Sequence, residues 1–250
     1  MSVYNPSPLM NLPDLNQIWQ TLAWQPNEHQ QQQFQQLYQA ILAGNSQFNL
    51  TRIVAPDDFW EKHLWDSVAG VMDYQLAPAA FKAIDIGTGA GFPGVPLAIA
   101  YPDWHVTLLD STGKKIRFLQ SLLTQLDLKA TALNSRAEAV GQHPDHRESY
   151  DIAVVRAVGA AVVCAEYALP LLQIGGLAVL YRGRWSEEEQ LALQYAVEQL
   201  GAEIEGIRSL TTPLSQSIRH CVYLRKRSST PSQFPRAVGV PPQQPLTINF

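Results

Sequence analysis

Cysteine is almost absent from this chain, which holds only Cys164 and Cys221 among 250 residues. That count excludes a disulfide framework, and no metal site is expected from it either. Long apolar runs are missing too. The most apolar stretch, Val154 to Leu172, is interrupted by Arg156 and Glu166, so no membrane span is expected. Met1 to Asp14 has neither a basic start nor an apolar segment behind it. A secretory signal is therefore not expected, and the cytoplasm is the default compartment. Charge of one sign is missing from a whole region. From Gly206 to Phe250 there is no Asp or Glu, while Arg208, Arg219, Arg225, Lys226, Arg227 and Arg236 supply 6 positive charges. With a net charge of −4, residues 1–205 then carry −10. A basic end on an acidic body points to a local polyanion contact, not to broad nucleic-acid affinity.

What is present is ordinary for a folded chain: 46% of residues are hydrophobic, enough for one α/β domain and a modest extension. Residues 1–78 read as a helical extension. Phe34, Leu37, Tyr38, Ile41 and Leu42 form an amphipathic stripe, with Gly44 as the expected stop. Gln30 to Gln33 read as polar-face filler. A second helical pattern covers Phe59 to Val71. From residue 79 to 227 strands and helices alternate, as in a mostly parallel, doubly wound sheet. Strands are expected at 83–86, 105–109, 130–134, 151–155 and 177–182, with helices near 93–100, 113–126, 161–172 and 186–200. The last two strands, 203–210 and 218–225, have no helix between them and should close the sheet as an antiparallel hairpin. Residues 228–250 are rich in Ser, Pro and Gln and read as an extended tail.

The segment Asp85-Ile86-Gly87-Thr88-Gly89-Ala90-Gly91-Phe92-Pro93-Gly94 carries the chemistry. An apolar strand enters a glycine loop on which a ligand can lie against backbone, and a helix follows. The next strand ends on Asp110, placed to accept both hydroxyls of a ribose. Two adenosine cofactors fit. Gly89, Gly91 and Gly94 spell the dinucleotide fingerprint of an NAD-dependent oxidoreductase. The spacing of Gly87, Gly89 and Gly91, with Asp85 inside the strand, suits S-adenosylmethionine, whose ammonium that carboxylate can meet directly or through water. Five α/β units closed by an antiparallel hairpin form the class I, Rossmann-like methyltransferase architecture. That favours S-adenosylmethionine.

The methyl acceptor leaves traces of its own. Strand 151–155 runs into Arg156-Ala157-Val158, not into the Asn/Asp-Pro-Pro-aromatic turn that holds an exocyclic amine. Methylating carbon-5 of a pyrimidine needs a thiolate, yet Cys164 and Cys221 sit inside apolar patterns and read as packing residues. An acceptor nitrogen with a free lone pair, such as guanine N7, needs neither device. Positioning alone then drives catalysis, and no residue is assigned a catalytic proton transfer.

Six segments, in this order and spacing, resemble the 16S rRNA guanine-N7 methyltransferases of the RsmG/GidB family. They are Phe48-Asn49-Leu50-Thr51, His63-Leu64-Trp65-Asp66-Ser67, the Asp85–Gly94 loop, Leu109-Asp110-Ser111-Thr112-Gly113-Lys114-Lys115-Ile116-Arg117-Phe118-Leu119, Ser135-Arg136-Ala137-Glu138 and Val155-Arg156-Ala157. The resemblance covers roughly residues 30–246. It implies a cytoplasmic enzyme acting on small-subunit rRNA, as free RNA or as its ribonucleoprotein particle. It implies cofactor contacts at Gly87, Phe92, Asp110, Ser111, Thr112, Ala137, Glu138 and Arg156. Arg156 is expected to hold either the methionyl carboxylate or the guanine, or else to pair with a local acid. On the substrate side the candidates are Asn49, His63, Arg182, Arg184, Arg225, Lys226 and Arg227. Positions in Phe234 to Leu246 that are often basic in the family are neutral here, so the tail is not expected to grip phosphates. A non-catalytic rRNA-binding factor with the same fold is the remaining alternative.

Overall fold

Side chains that alternate between two apolar faces are the signature of a sheet covered on both sides by helices. A computed structural model describes residues 16–72 and 80–247. The expected boundary between residues 78 and 79 lies outside the described residues, as do 1–15 and 248–250. The N-terminal part holds α1 (Asn16–Gln20), α2 (Glu28–Phe48), α3 (Pro56–Phe59), a π-helical turn (Trp60–Trp65) and α4 (Asp66–Met72). The alternating part runs β1 (Lys82–Ile86), α5 (Gly94–Ala100), β2 (His105–Asp110), α6 (Gly113–Gln125), β3 (Ala130–Asn134), α7 (Ala137–Gln142) and β4 (Tyr150–Arg156). It continues with α8 (Ala161–Ala168), β5 (Leu172–Arg182), α9 (Glu187–Gln199), β6 (Ala202–Thr211) and β7 (Ile218–Lys226). A short α10 (Val240–Gln243) follows.

All seven expected strands form, in the order β3-β2-β1-β4-β5-β7-β6. Only the pairings of β7 with β5 and β6 are antiparallel. The order reverses between β1 and β4, which is where an open α/β sheet leaves a crevice at its strand tips. Alternation sorts the faces. Ile152, Val154, Leu177, Val179 and Tyr181 join the core beneath the N-terminal helices, α5 and α6. Ala153, Val155, Ala178 and Leu180 join the core beneath α8 and α9. The helix expected to reach residue 172 ends at Ala168, where Pro170 tightens a 3-10 turn (Leu169–Leu171) before β5. Neither α7 nor α10 was expected from the pattern.

The helical extension is seated on the sheet by specific bonds. Tyr181 Oη donates to Ser67 O at 2.7 Å, and Tyr223 Oη donates to Gly70 O at 2.9 Å. Two expectations about α2 are corrected. Its glutamines are not filler: Gln30 and Gln33 are buried. Gln30 Nε2 donates to Ile99 O at 2.9 Å and Gln33 Nε2 to Leu126 O at 2.9 Å. They satisfy carbonyls that the ends of α5 and α6 leave without intrahelical partners. Gln30 also closes a capping box with Asn27. Gly44 does not stop the helix, which continues to Phe48 and ends on Asn49 in the left-handed conformation. A Cβ at Gly44 would lie 2.7 Å from the Phe118 ring; the glycine lets α2 approach α6.

The segment after β7 is mostly irregular, as expected, yet it is bound to the body along its length. Arg147 donates to Thr230 O and Phe234 O, each at 2.7 Å. Phe234 and Pro235 are buried, and Leu246 packs against the core beneath α8.

Gly70→Ala tests the seating of α4. The added Cβ would fall 2.4 Å from the Tyr181 ring, which Ser67 holds in place. Overpacking of this kind costs roughly 1–3 kcal/mol, against a helix-propensity gain of about 1 kcal/mol. The variant is expected to unfold at lower urea, and an unshifted or raised midpoint would show that α4 is not seated there.

Candidate active site

The loop after β1 is built by two carboxylates. Asp85 is wholly enclosed and faces α5. Its Oδ2 accepts from Thr88 Oγ1 at 2.6 Å and from Gly94 N at 2.7 Å. A Cβ at Gly94 would lie 2.3 Å from Leu108 and 2.8 Å from that oxygen, so a glycine is needed for the approach. Asp110 ties the other side: its Oδ2 accepts from Gly89 N at 2.9 Å and its Oδ1 from Thr112 N at 2.7 Å. Gly87 has φ 72°, and a Cβ there would meet Val158 at 2.5 Å.

This arrangement corrects two expectations. Asp85 was expected to meet an ammonium directly or through water; its Oδ2 holds the loop from beneath instead, and Oδ1 is buried without a partner among the described residues. Gly94 N, which a dinucleotide fingerprint would offer to a pyrophosphate, is already bonded to Asp85. Asp110 keeps acceptor capacity, since a carboxylate has about four lone-pair sites and two are used.

A continuous cleft runs along the strand tips. Its first chamber, about 290 Å³, is lined by Gly87, Asp110, Ser111, Ala137, Glu138 and Tyr167 among others. The second, about 630 Å³, shares Gly87, Asp110 and Ser111 and adds Phe92, Thr112, His63 and Arg156. The third, about 440 Å³, shares Asp66, Arg156 and Arg219 with the second and adds Arg182 and Arg184. All eight residues carried over as cofactor contacts thus line the first two chambers, with Asp110 at their junction.

In the first chamber Glu138 is buried. Burial pushes its carboxyl up, but hydrogen bonds from Arg136 and Gly239 N outweigh that and hold it below the ordinary range. Tyr167 Oη also donates to it, at 3.2 Å. Burial, with Glu138 alongside, pushes the Tyr167 phenol up to about 12, so it stays a donor. In the second chamber the π-helical turn presents His63, stacked on Phe92 at 4.2 Å with an interplanar angle of 5°. Such single-turn distortions often re-aim side chains at working sites. Thr51 Oγ1 lies 2.9 Å from His63 Nε2. Burial first, then the charges of Arg156 and Lys62, lower the His63 pKa to about 3, so the ring is neutral. Asn49 caps α2 just before this wall and does not line the chamber.

Arg156 donates to Asp66 Oδ2 at 3.1 Å and to Lys62 O at 3.0 Å. Its guanidinium lies 5.7 Å from the Phe92 ring centroid, within cation–π reach. The acid partner envisaged for it is therefore present, and His63 and Asp66 do not bond each other. Asp66 also meets Arg219 Nε at 3.6 Å. After Arg156, Ala157 takes φ 57°, a strained setting for a residue with a Cβ.

The basic candidates divide. Arg182, Arg184 and Arg219 line the third chamber, although Arg182 is held by Gly159 O and Glu189, each at 2.7 Å. Arg225, Lys226 and Arg227 do not join them. Arg225 pairs with Leu177 at the far end of the sheet, while Arg182 pairs with His220 at the tips. At about 3.3 Å per residue these ends lie roughly 17 Å apart. Glu205 holds Arg225 at 2.5 Å, and Glu203 holds Arg227 at 2.5 Å. Lys226 is buried, bonding Leu169 O at 2.7 Å and Thr230 Oγ1 at 2.5 Å. The cluster is structural: β6 carries acids beside Arg225 and Arg227, and Lys226 meets Glu148 at 3.2 Å. The cysteines are buried, and burial pushes the Cys164 and Cys221 thiols up to about 11 and about 12, so neither is a thiolate. Among the described residues no helix is long and apolar enough to cross a membrane.

Sequence reasoning missed Thr51, Lys62, Tyr167 and Arg219 as lining residues. Arg219 carried a signal as part of the acid-free end, and Thr51 as the last residue of the Phe48–Thr51 segment; Lys62 and Tyr167 carried none.

A seven-stranded sheet with one reversed strand, a cleft at the switch point and an acid at the tip of β2 define a class I, S-adenosylmethionine-dependent methyltransferase. A solved structure entitled methyltransferase from Pyrococcus furiosus shares the fold with a TM-score of 0.54 at 13% identity, over 79% of this chain and 99% of that one. The family model for rRNA small subunit methyltransferase G matches residues 30–221. Proteins named ribosomal RNA small subunit methyltransferase G from Nostoc punctiforme and Trichormus variabilis are 60% and 59% identical to this chain, each over 94% of it and 98% of the relative. The chain belongs to the rRNA small subunit methyltransferase G family.

The two titrating groups beneath the loop act in opposite directions. His63, lowered from 6.5 to about 3, stays neutral in the fold while the unfolded chain takes up a proton. Its contribution is lost as pH falls below about 6.5. Asp85 is raised from 3.8 to about 6, chiefly by burial. The fold keeps a proton that the unfolded chain releases, so its contribution is lost as pH rises from about 4 to 6. Asp85→Asn should steepen the rise of stability with pH in that window, and His63→Asn should flatten it. Urea unfolding at several pH values between about 4 and 7 reads both slopes. Profiles parallel to the unsubstituted protein would contradict these assignments.

Proposed function

We propose that this enzyme transfers a methyl group to N7 of a guanosine in a loop of 16S small-subunit rRNA near the decoding region, in the cytoplasm, on the folded ribonucleoprotein particle. The observation that carries the reading is Asp110 at the junction of the first two chambers. S-adenosylmethionine supplies an electrophilic methyl on its sulfonium. The residues present fit that cofactor: a glycine loop with no Cβ in the way, an acceptor for a diol, and a carboxylate with spare capacity in the adjoining chamber. In this proposal Asp110, Ser111 and Thr112 hold the ribose, and Ala137 and Glu138 hold the adenine. Gly87, Phe92 and Arg156 hold the methionyl end.

The acceptor side is then the second and third chambers. The base enters between His63, Phe92 and Arg156, with Arg182, Arg184 and Arg219 near its phosphates. A neutral His63 and an N7 lone pair need no proton removed from the acceptor; the chain orients the base and excludes water. Residues 79–227 carry the methyltransferase unit, 1–78 supply the acceptor-side wall, and 228–250 form the tail. The net charge of −4 supports a particle as substrate, since few phosphate contacts are on offer to free RNA.

Asp110→Asn should weaken S-adenosylhomocysteine binding by roughly 1.5–3 kcal/mol, the worth of hydrogen bonds to a charged group, as read by calorimetry. Unchanged affinity would move the ribose elsewhere. Arg156→Ala should lower the single-turnover rate on unmethylated small subunits by about tenfold or more. N7-selective chain cleavage locates the product. A label on an exocyclic amine or on ribose, or no label at all, would overturn the reading. Methylation of a short free loop oligonucleotide at the rate of the particle would overturn the particle preference.

A further inference from the structure

The carboxyl-terminal segment offers more than a tether. Pro242 and Pro245 line the first chamber together with Ala160, Val163 and Leu109. Gly239 N donates to Glu138 Oε1 at 3.0 Å. That oxygen also receives Arg136 Nη2 at 3.0 Å and Tyr167 Oη at 3.2 Å, which fills it. Among the described residues Glu138 Oε2 receives only Arg136 Nε, at 3.3 Å, so the acceptor capacity that remains is on that oxygen. The segment therefore supplies both an apolar wall and the bond that turns Glu138.

Its position is fixed from two sides. The Arg236 guanidinium spans the buried Glu166 carboxylate, with Nη2 to Oε2 at 2.6 Å and Nε to Oε1 at 2.9 Å, and Arg236 N adds a third bond at 2.9 Å. Fork-to-fork pairs of this kind set orientation as well as energy. Gln142 Nε2 donates to Pro235 O at 2.7 Å, and a Cβ at Gly141 would lie 2.7 Å from the Pro235 ring. The helix that begins with Ala137 and Glu138 and the segment that covers them are thus packed as one piece.

We propose that residues 234–246 are a specificity element for the adenosine end of the cofactor: Pro242 and Pro245 form one face of the purine slot, and Gly239 sets the carboxylate that reads the purine's amino group. This rests on the cleft being the cofactor site, as proposed above. Its consequence is that binding of the adenosine portion and order in this segment are linked, so that each stabilises the other.

Two measurements on the full chain test it. Pro242→Asp and Pro245→Asp, which put a carboxylate into the apolar wall, should each weaken 5′-methylthioadenosine and S-adenosylhomocysteine alike, by roughly tenfold, with the unliganded melting temperature retained. In the unsubstituted protein, amide hydrogen exchange across 234–246 should slow on saturation with 5′-methylthioadenosine and not with methionine. Normal affinity in both proline variants, with Asp110→Asn weakened, would overturn the inference and leave the cleft standing. Normal affinity in Asp110→Asn as well would overturn both. Unchanged exchange on ligand saturation would overturn the inference even if neither proline variant folded.

Discussion

A buried carboxylate under a glycine loop is the constraint from which the working end of this protein follows. Asp85 Oδ2 holds Thr88 and Gly94 together, which sets where the loop between them stands. Phe92 leaves that loop and stacks on His63; Arg156 lies over the same ring. The helical extension and the sheet therefore meet on one aromatic side chain whose place a fully enclosed acid determines. The charge there is costly, and burial accordingly pushes the Asp85 carboxyl up to about 6 against the hydrogen bonds from Thr88 and Gly94.

The cleft is a line of three chambers with graded chemistry. At one end an acid and its arginine, Glu138 and Arg136, are tightly bonded to each other, and Glu138 also to Tyr167. In the middle Asp110 has used two of its acceptor sites and keeps the rest. At the other end arginines gather, but Asp66 and Glu189 partly offset them. Arginines partly paired at rest are preorganised: Asp66 holds both Arg156 and Arg219 between the second and third chambers. In the proposed function an incoming phosphate would compete with a carboxylate for the guanidinium, which would favour a substrate that brings several contacts at once.

An RNA substrate calls for positive charge at the cleft, and the fold decides which basic residues supply it. The acid-free end of the chain suggested a polyanion contact at Arg225, Lys226 and Arg227. In the fold, β6 lies beside β7 and brings Glu203 and Glu205 against them, while Lys226 is turned inward toward Leu169 and Thr230. A run of like charges in sequence says nothing about what the neighbouring strand will place across from it. Arg219, near the start of the same strand, is the one that reaches the cleft, because β7 runs antiparallel and its beginning lies at the strand tips.

Strand alternation, the glycine loop, the acid ending β2 and the hairpin without a helix were legible from the chain alone. Each is a local signal: period, turn chemistry, or the absence of a crossover. The motif series likewise named eight residues that line the first two chambers, though not Lys62, Tyr167 or Arg219. What only the tertiary structure decided are matters of partnership. Gln30 and Gln33 look like surface polar residues until the ends of α5 and α6 come to lie beside them. Gly44 looks like a helix stop until α6 passes within reach. Arg156 could be read for function or for pairing, and the fold gives it Asp66 without removing it from the cleft. The proline-rich end carries too little apolar pattern to predict a packed position, because what docks it is one arginine on one buried glutamate and a set of backbone carbonyls that meet Arg147 and Gln142. Hydrogen bonds between residues 70 to 93 positions apart leave no period in a sequence, and those bonds place the wall of the site.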